Sequence, residues 1–193
     1  MNKSNFIKRR LFKTGRWLLV LMALLSGVNS GFCGDSTFTE YQVKALFLMN
    51  FTKYVEWPAT AFATNNTPFT IGVYGENNFG DNLRNAVAGK KVGSRSIVIR
   101  QVDGTNDMAQ CQILFISGSE KKNTGDILDM LKVSPVLTVG ETEQFTGQGG
   151  IINFVKKDGK VRLEINLQAA QQANLQISSK LLSVADVVKG KPK

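Results

Sequence analysis

Residues 112–139 read QILFISGSEKKNTGDILDMLKVSPVLTV, which is an apolar run, a polar segment with a helical pattern and a second apolar run. The two apolar runs, Gln112–Ser117 and Val136–Val139, do not alternate with polar residues, and we expect a helix around Thr124–Lys132 between them. Continuous apolar strands separated by helices are typical of a parallel sheet that is covered on both faces. This stretch therefore predicts an α/β fold.

The same alternation of strands and helices continues toward the N-terminus. The sequence predicts strands at Phe69–Tyr74 and Ser96–Val102, with a helix over Phe79–Ala88 between them. Gly89 then closes that helix, because glycine readily adopts the left-handed conformation of a helix C-terminus. These elements add two strands and one helix to the same sheet.

A long helix is predicted before the first strand. Thr39-Glu-Tyr-Gln42 is a capping box, in which the threonine hydroxyl and the Gln42 side chain satisfy backbone N–H groups reciprocally. We expect the helix to cover Tyr41–Trp57 and to stop there, because Pro58 disfavours helical geometry at the residue before it.

A hairpin is predicted near the C-terminus. Asp158-Gly159 is a strong two-residue turn signal, and it separates the runs Ile151–Val155 and Val161–Leu167. Pairing about this turn places Phe154 opposite Leu163, Ile152 opposite Ile165 and Asn153 opposite Glu164. We expect a loop with one helical turn at Gly140–Gly149, and short helices near Gln168–Ala173 and Ser179–Val187. The expected fold is a three-layer α/β sandwich, with a mostly parallel central sheet flanked by helices and a C-terminal β-hairpin.

The first residues are typical of an export signal. Six basic residues and no acid precede an apolar run at Trp17–Val28, and small polar residues follow it. We expect a signal peptide over 1–33, one domain over 34–188 and a disordered tail over 189–193. An uncleaved membrane anchor is the alternative. Cleavage after Ser30 would keep Cys33, whereas cleavage after Cys33 would remove it.

Charge argues against a nucleic-acid partner. The chain has 24 basic and 15 acidic residues, but the signal holds six of the basic ones and none of the acids. The remainder has 18 against 15, a net charge of +3, without the basic stripe that nucleic-acid binding requires.

The amino-acid composition also limits the catalytic mechanisms that are available to the chain. The chain has no histidine, which removes histidine general bases, histidine-ligated zinc and the usual nucleophile–histidine pairs. Gly75–Gly80 lies between a strand and a helix, but Asp81-Asn82 stands where a phosphate loop needs Lys-Ser/Thr. We expect no cofactor and no metal. Cys111 is expected to be a buried free thiol, and an enzyme that uses it as nucleophile is the remaining catalytic alternative.

Two sets of residues are candidate binding sites. One is a polar face of the hairpin together with apolar residues beyond it, namely Asn153, Arg162, Glu164, Asn166, Leu175 and Ile177. The polar members have an alternative interpretation as the ordinary solvent side of a two-faced strand pair. Leu175 and Ile177, with Leu181 and Leu182, form an apolar cluster whose alternative interpretation is core packing. The other set would line a small-molecule pocket at the carboxyl ends of the parallel strands, where open α/β sheets usually bind ligands: Gly75, Asn77, Phe79 and Glu141.

Seven motifs, in chain order, resemble the YfiR family of periplasmic proteins, and together they cover nearly all of the mature chain. They are Glu40–Pro58, Ile71–Gly75, Cys111–Ser117, Val136–Gly140, Gly149–Phe154, Arg162–Asn166 and Leu175–Leu182. The resemblance implies a three-layer α/β fold, a homodimer and no catalytic activity.

The resemblance also implies a function. Members of that family repress a membrane-bound GGDEF-type diguanylate cyclase by holding its periplasmic sensor region, which lowers cyclic di-GMP and biofilm formation. Family members that sense redox conditions carry two disulfides, whereas this chain has Cys111 and at most Cys33. We therefore expect a periplasmic repressor without disulfide-based sensing. A periplasmic sensor of small molecules is the alternative, and it would use the pocket at Gly75, Asn77, Phe79 and Glu141.

Overall fold

The computed structural model describes residues 38–188. The predicted signal peptide over 1–33, with Cys33, and the predicted tail over 189–193 lie outside the described residues. Within the described range, none of the helices combines the length and apolar character that crossing a bilayer requires.

Helix α1 covers Glu40–Tyr54, and its predicted capping box is present. The Thr39 hydroxyl accepts from the Gln42 N–H at 3.3 Å, and the Gln42 side chain accepts from the Thr39 N–H at 2.8 Å. The helix ends three residues before the predicted Trp57. The reason is that strand β1 (Val55–Glu56) is extended and pairs antiparallel with strand β9 (Gln176–Ile177).

The central sheet has eight strands within residues 38–188, namely β2 Phe69–Tyr74, β3 Lys91–Val92, β4 Arg95–Val102, β5 Ile113–Ile116, β6 Leu137–Gly140, β7 Ile152–Lys157, β8 Lys160–Asn166 and β10 Asp186–Val188. Its spatial order is β10-β8-β7-β6-β5-β2-β4-β3, and the five strands from β4 to β7 in that order run parallel. The antiparallel pairs are β7 with β8 and β3 with β4, and β10 lies parallel to β8 at one edge.

Helices cover both faces of this sheet, which confirms the predicted three-layer α/β fold. Buried side chains of α1, α2, α5 and α6 share one core with the sheet, and those of α3 and α4 share a second core on the opposite face. The helices after α1 are α2 Asn82–Val87, α3 Thr105–Ala109, α4 Thr124–Leu131, α5 Leu167–Gln172 and α6 Ser179–Leu182; single 3-10 turns lie at Ala59–Ala61, Gly118–Glu120 and Thr146–Gln148.

The hairpin has the predicted register. Phe154 pairs with Leu163, Ile152 with Ile165 and Asn153 with Glu164. Asp158 and Gly159 have φ of 52° and 71°, and positive φ at both central residues is what a turn matching the twist of the strands requires.

Two helix predictions were wrong in extent. The helix predicted over Phe79–Ala88 begins only at Asn82, because Gly80 has a φ of 54° and the chain turns before it. The helix predicted over Ser179–Val187 ends at Leu182, and Asp186–Val188 forms β10 instead. β-branched valines favour strand where a neighbouring strand offers hydrogen bonds, and β8 does so here.

Candidate functional site

The carboxyl edge of the sheet is the place where the fold brings distant loops together. Strand β2 lies between β4 and β5, and the chain passes from β2 to β4 and then back to β5 on the other side. The ends of β2 and β5 therefore form a topological switch point, the usual ligand position in an open α/β sheet. Gly75, Gly118 and Glu141 lie just beyond β2, β5 and β6.

Glu141 is held at this edge by groups from two other segments. Its carboxylate contacts the Lys44 ammonium at 2.6 Å and accepts the Gly118 N–H at 2.9 Å. The Tyr41 hydroxyl donates to both of its oxygens at 3.2 Å. Lys44 also pairs with Glu40 at 2.5 Å, and its side chain is only 5% exposed. These residues, Glu40, Tyr41, Lys44 and Glu141, form the network that fastens α1 to the carboxyl edge.

Charge pairing decides the direction of the pKa shifts of Glu40 and Lys44, whereas burial decides that of Tyr41. The hydrogen bond from Lys44 lowers the pKa of Glu40, although partial burial opposes it. Burial acts to lower the pKa of Lys44, but its hydrogen bonds to Glu141 and Glu40 outweigh burial and raise that pKa. Burial, and then the charge of Glu141, raise the pKa of Tyr41.

These shifts set the pH range in which the network stabilises the fold. A lowered carboxyl pKa stabilises the fold above the ordinary value of 4.5, and this is lost as pH falls through the folded value. A raised ammonium pKa stabilises the fold below 10.5, and this is lost as pH rises through the folded value. Glu40 and Lys44 are therefore both charged throughout the neutral range.

Two members of the predicted small-molecule pocket are packed or hydrogen-bonded within the protein itself. The Phe79 ring is buried between Tyr41 and Phe115, with edge-to-face centroid distances of 5.3 and 4.8 Å. Glu141 is engaged by its own chain, as described above. Asn77 is exposed and its side chain caps the Phe79 N–H at 3.1 Å. The fold thus brings Phe79 and Glu141 together around Tyr41, where their contacts are structural.

Three members of the predicted partner-binding set are also buried. Asn153, Asn166 and Leu175 have almost no exposed surface. For Leu175 this agrees with the core packing that its apolar cluster also predicts, whereas the position of Asn153 and Asn166 on an open hairpin face was wrong. The reason is that the loop of residues 141–149 folds over that face of the sheet. Arg162 is exposed, and Glu164 and Ile177 are partly exposed.

The two asparagines hold that loop in place. The Asn153 amide donates to the Thr142 carbonyl at 3.0 Å, and the Asn166 amide donates to the Thr146 carbonyl at 2.9 Å. The Asn166 oxygen also accepts the Ala169 N–H at the start of α5. Neighbouring strands therefore clamp both ends of the loop that carries Glu141.

An exposed apolar surface lies at the C-terminal edge of the sheet. Val184 is 63% exposed and Val187 is 53% exposed. The exposed polar residues Ser183 and Asp186 flank these valines along the chain. We call Val184 and Val187 the C-terminal surface. Val184 and Val187 were missed because the sequence predicted a helix there. The valines of Val184–Val188 are a strand signal, and a strand prediction for this segment would have identified them.

Cys111 is a buried free thiol, as the sequence predicts. Burial raises its pKa to about 11, although the charge of Arg100 acts to lower it. Because the thiolate is the reactive species, a thiol with this pKa is almost wholly protonated at neutral pH.

We therefore expect Cys111 to resist alkylation by a maleimide reagent at neutral pH in a Cys33→Ser background. In denaturant, the same variant should react completely. Mass spectrometry of the labelled protein measures both states. Rapid labelling of the folded protein would contradict the burial of this thiol.

Comparison with known proteins gives one family match and several similar structures. A family model described as YfiR/HmsC-like matches residues 41–186. No curated protein matches the chain. Among solved structures, the ABC domain in complex with L-Trp from Streptococcus pneumonia aligns with a TM-score of 0.50 and 14% identity, over 75% of this chain and 60% of that one.

A conserved domain protein from Vibrio cholerae aligns with a TM-score of 0.52 and 12% identity, over 79% of this chain and 61% of that one. This chain thus spans about three fifths of each solved structure, and at such identities the likeness concerns the fold alone. The family model, in contrast, covers all the elements from α1 to the start of β10. The chain therefore belongs to the YfiR/HmsC-like family.

Proposed function

We propose that this protein is a periplasmic regulator that binds the periplasmic sensor region of an inner-membrane GGDEF-type diguanylate cyclase and represses it. The observation that carries the proposal is the family match over residues 41–186. The export signal predicted from the N-terminal sequence supports a periplasmic location. The protein acts by binding, as a homodimer and without catalysis, and it lowers cyclic di-GMP and biofilm formation.

The C-terminal surface is the contact that we assign to the cyclase. Exposed apolar side chains that are bordered by polar groups are typical of protein interaction sites. Val187 lies on β10, an edge strand of the sheet, and Val184 lies just before that strand. Val187 is opposite Ile165 in the β8–β10 ladder, so Arg162 and Glu164 of the predicted partner-binding set lie on the other face of the sheet and are not part of this contact.

Replacing both valines by aspartate (Val184→Asp with Val187→Asp) is expected to weaken cyclase binding at least tenfold. The substitutions place charges in a contact that is apolar in the complex, and residues at such positions contribute about 2 kcal/mol or more. Cells that carry the variant should show higher cyclic di-GMP than cells that carry the wild type.

The matched control is Met130→Asp with Val133→Asp. These side chains are 52% and 73% exposed, on and just after α4, so they match the valines in exposure and in apolar character. The control should repress normally. Equal loss of repression in both double variants would contradict the assignment of this surface.

Deletion of the gene tests the proposed function itself. Cyclic di-GMP, measured by mass spectrometry of cell extracts, and biofilm mass should both rise, and expression of the protein from a plasmid should restore them. Unchanged cyclic di-GMP in the deletion strain, with the cyclase genes expressed, would contradict the proposal.

A further inference from the structure

A cleft opens at the amino edge of the sheet, opposite the edge that carries the Glu141 network. It has a volume of about 210 Å³ and lies between the C-terminal half of α4 and helix α5. It exists because the β6–β7 ladder is short, with only Val139 paired to Ile152 and Gly140 to Asn153. Before these pairs the two strands separate, and the Thr138 hydroxyl accepts the Ile151 N–H across the gap at 3.1 Å.

The floor and the rim of this cleft differ in chemistry. The floor includes the buried apolar side chains of Val136 and Ile151. The rim carries three exposed glutamines, Gln148, Gln168 and Gln172. A carboxamide side chain both donates and accepts hydrogen bonds, and a hydroxyl group does the same, so the two groups complement each other. An apolar floor below an amide rim therefore suits a compact molecule with a C–H face and peripheral hydroxyls.

Charge and size narrow the class of ligand further. The rim has one charge of each sign, from Lys132 and Asp129, so the cleft as a whole is close to neutral. Liquid water occupies about 30 Å³ per molecule, so the cleft has room for about seven water molecules. This is below the range of about 300–1,000 Å³ that is usual for drug-sized ligands.

We propose that this amino-edge cleft binds a neutral, hydroxyl-rich ligand of monosaccharide size. Gln148, Gln168 and Gln172 bind its hydroxyl groups, and its apolar face lies toward the floor of the cleft at Val136 and Ile151. Gly147 and Gly149 border the same opening, and a Cβ on Gly149 would meet nothing within 4 Å, so the backbone there leaves the rim unobstructed.

The test uses isothermal titration calorimetry of the purified mature protein with D-glucose, N-acetylglucosamine and gluconate. Saturable binding of at least one neutral sugar is expected, with weaker binding of gluconate, which retains the hydroxyls but adds a negative charge. The double variant Gln168→Ala with Gln172→Ala removes two rim contacts and should raise the Kd of that sugar about tenfold.

Gln171→Ala is the matched control, because Gln171 is exposed on the same helix but does not line the cleft. Its Kd should equal that of the wild type. Three results would overturn the proposal: no saturable binding of either neutral sugar, an unchanged Kd in the double variant, or tighter binding of gluconate. The measurement uses the protein alone, so its outcome is independent of the proposed regulation of a cyclase.

Discussion

Replacing Phe145 by alanine is expected to lower the free energy of unfolding by about 3–5 kcal/mol, the usual cost of truncating a buried phenylalanine. The ring is fully buried and packs directly over two glycines. A Cβ built on Gly140 would come within 2.3 Å of the ring, and one built on Gly150 within 2.1 Å. The ring therefore fixes the 141–149 loop onto the sheet. Urea denaturation followed by circular dichroism measures the loss.

A second substitution distinguishes this packing from general loss of core volume. Gly150→Ala alone should destabilise the protein by about 1–3 kcal/mol, because the new methyl group overlaps the ring. In a Phe145→Ala background the same substitution should cost much less, since the space is then empty. Additive effects of the two substitutions would contradict the contact between Phe145 and Gly150.

Replacing Glu141 by alanine is expected to lower the free energy of unfolding by about 3 kcal/mol. The reason is that it leaves the buried Lys44 ammonium with Glu40 alone, and breaking a buried ion pair from one side typically costs about 3–5 kcal/mol. Glu40 is 40% exposed, which puts the expected loss at the lower end of that range. The Gly118 N–H and the Tyr41 hydroxyl also lose their acceptor.

Glu143→Ala is the control for this second experiment. Glu143 lies two residues along the same loop, but its side chain is 90% exposed and its contact with Lys121 is 3.8 Å long. Exposed pairs of this kind contribute about 0–1 kcal/mol. Removing both buried charges together, with Lys44→Met and Glu141→Leu, should recover much of the stability lost in Glu141→Ala. Equal losses in Glu141→Ala and Glu143→Ala would show that burial of the network has no energetic consequence.

Local sequence patterns predicted most of the sheet. The apolar runs identified β2, β4, β5 and β6, and Asp158-Gly159 fixed the pairing of Phe154 with Leu163. These predictions succeeded because each depends on neighbours that are close in sequence. The capping box at Thr39 succeeded for the same reason.

Contacts between distant segments were not predictable in the same way. Lys44 and Glu141 are 97 residues apart, and nothing in either local sequence indicates the other. Asn153 and Asn166 follow the alternation of a half-buried strand, and this pattern is the same whether water or a folded loop covers the polar face. The loop over residues 141–149 therefore buried two residues that the sequence predicted at the surface.

The motifs that carry the family resemblance explain the fold better than they explain partner choice. Asn153, Asn166 and Leu175 belong to those motifs, and all three are buried. Val184 and Val187 are exposed and lie beyond the last motif, which ends at Leu182. The motifs that indicate family membership thus consist largely of residues that build the core and hold the loop. The surface that we assign to the cyclase lies outside these motifs.

Capture from solubilised inner membranes tests the proposed repression most directly. The immobilised mature protein is incubated with the membrane extract, and bound proteins are identified by mass spectrometry. A diguanylate cyclase with a periplasmic domain should be recovered by the wild type and by the Met130→Asp, Val133→Asp control, but not by the Val184→Asp, Val187→Asp variant. Recovery of no such cyclase by the wild type, from membranes that contain one, would contradict the proposed function.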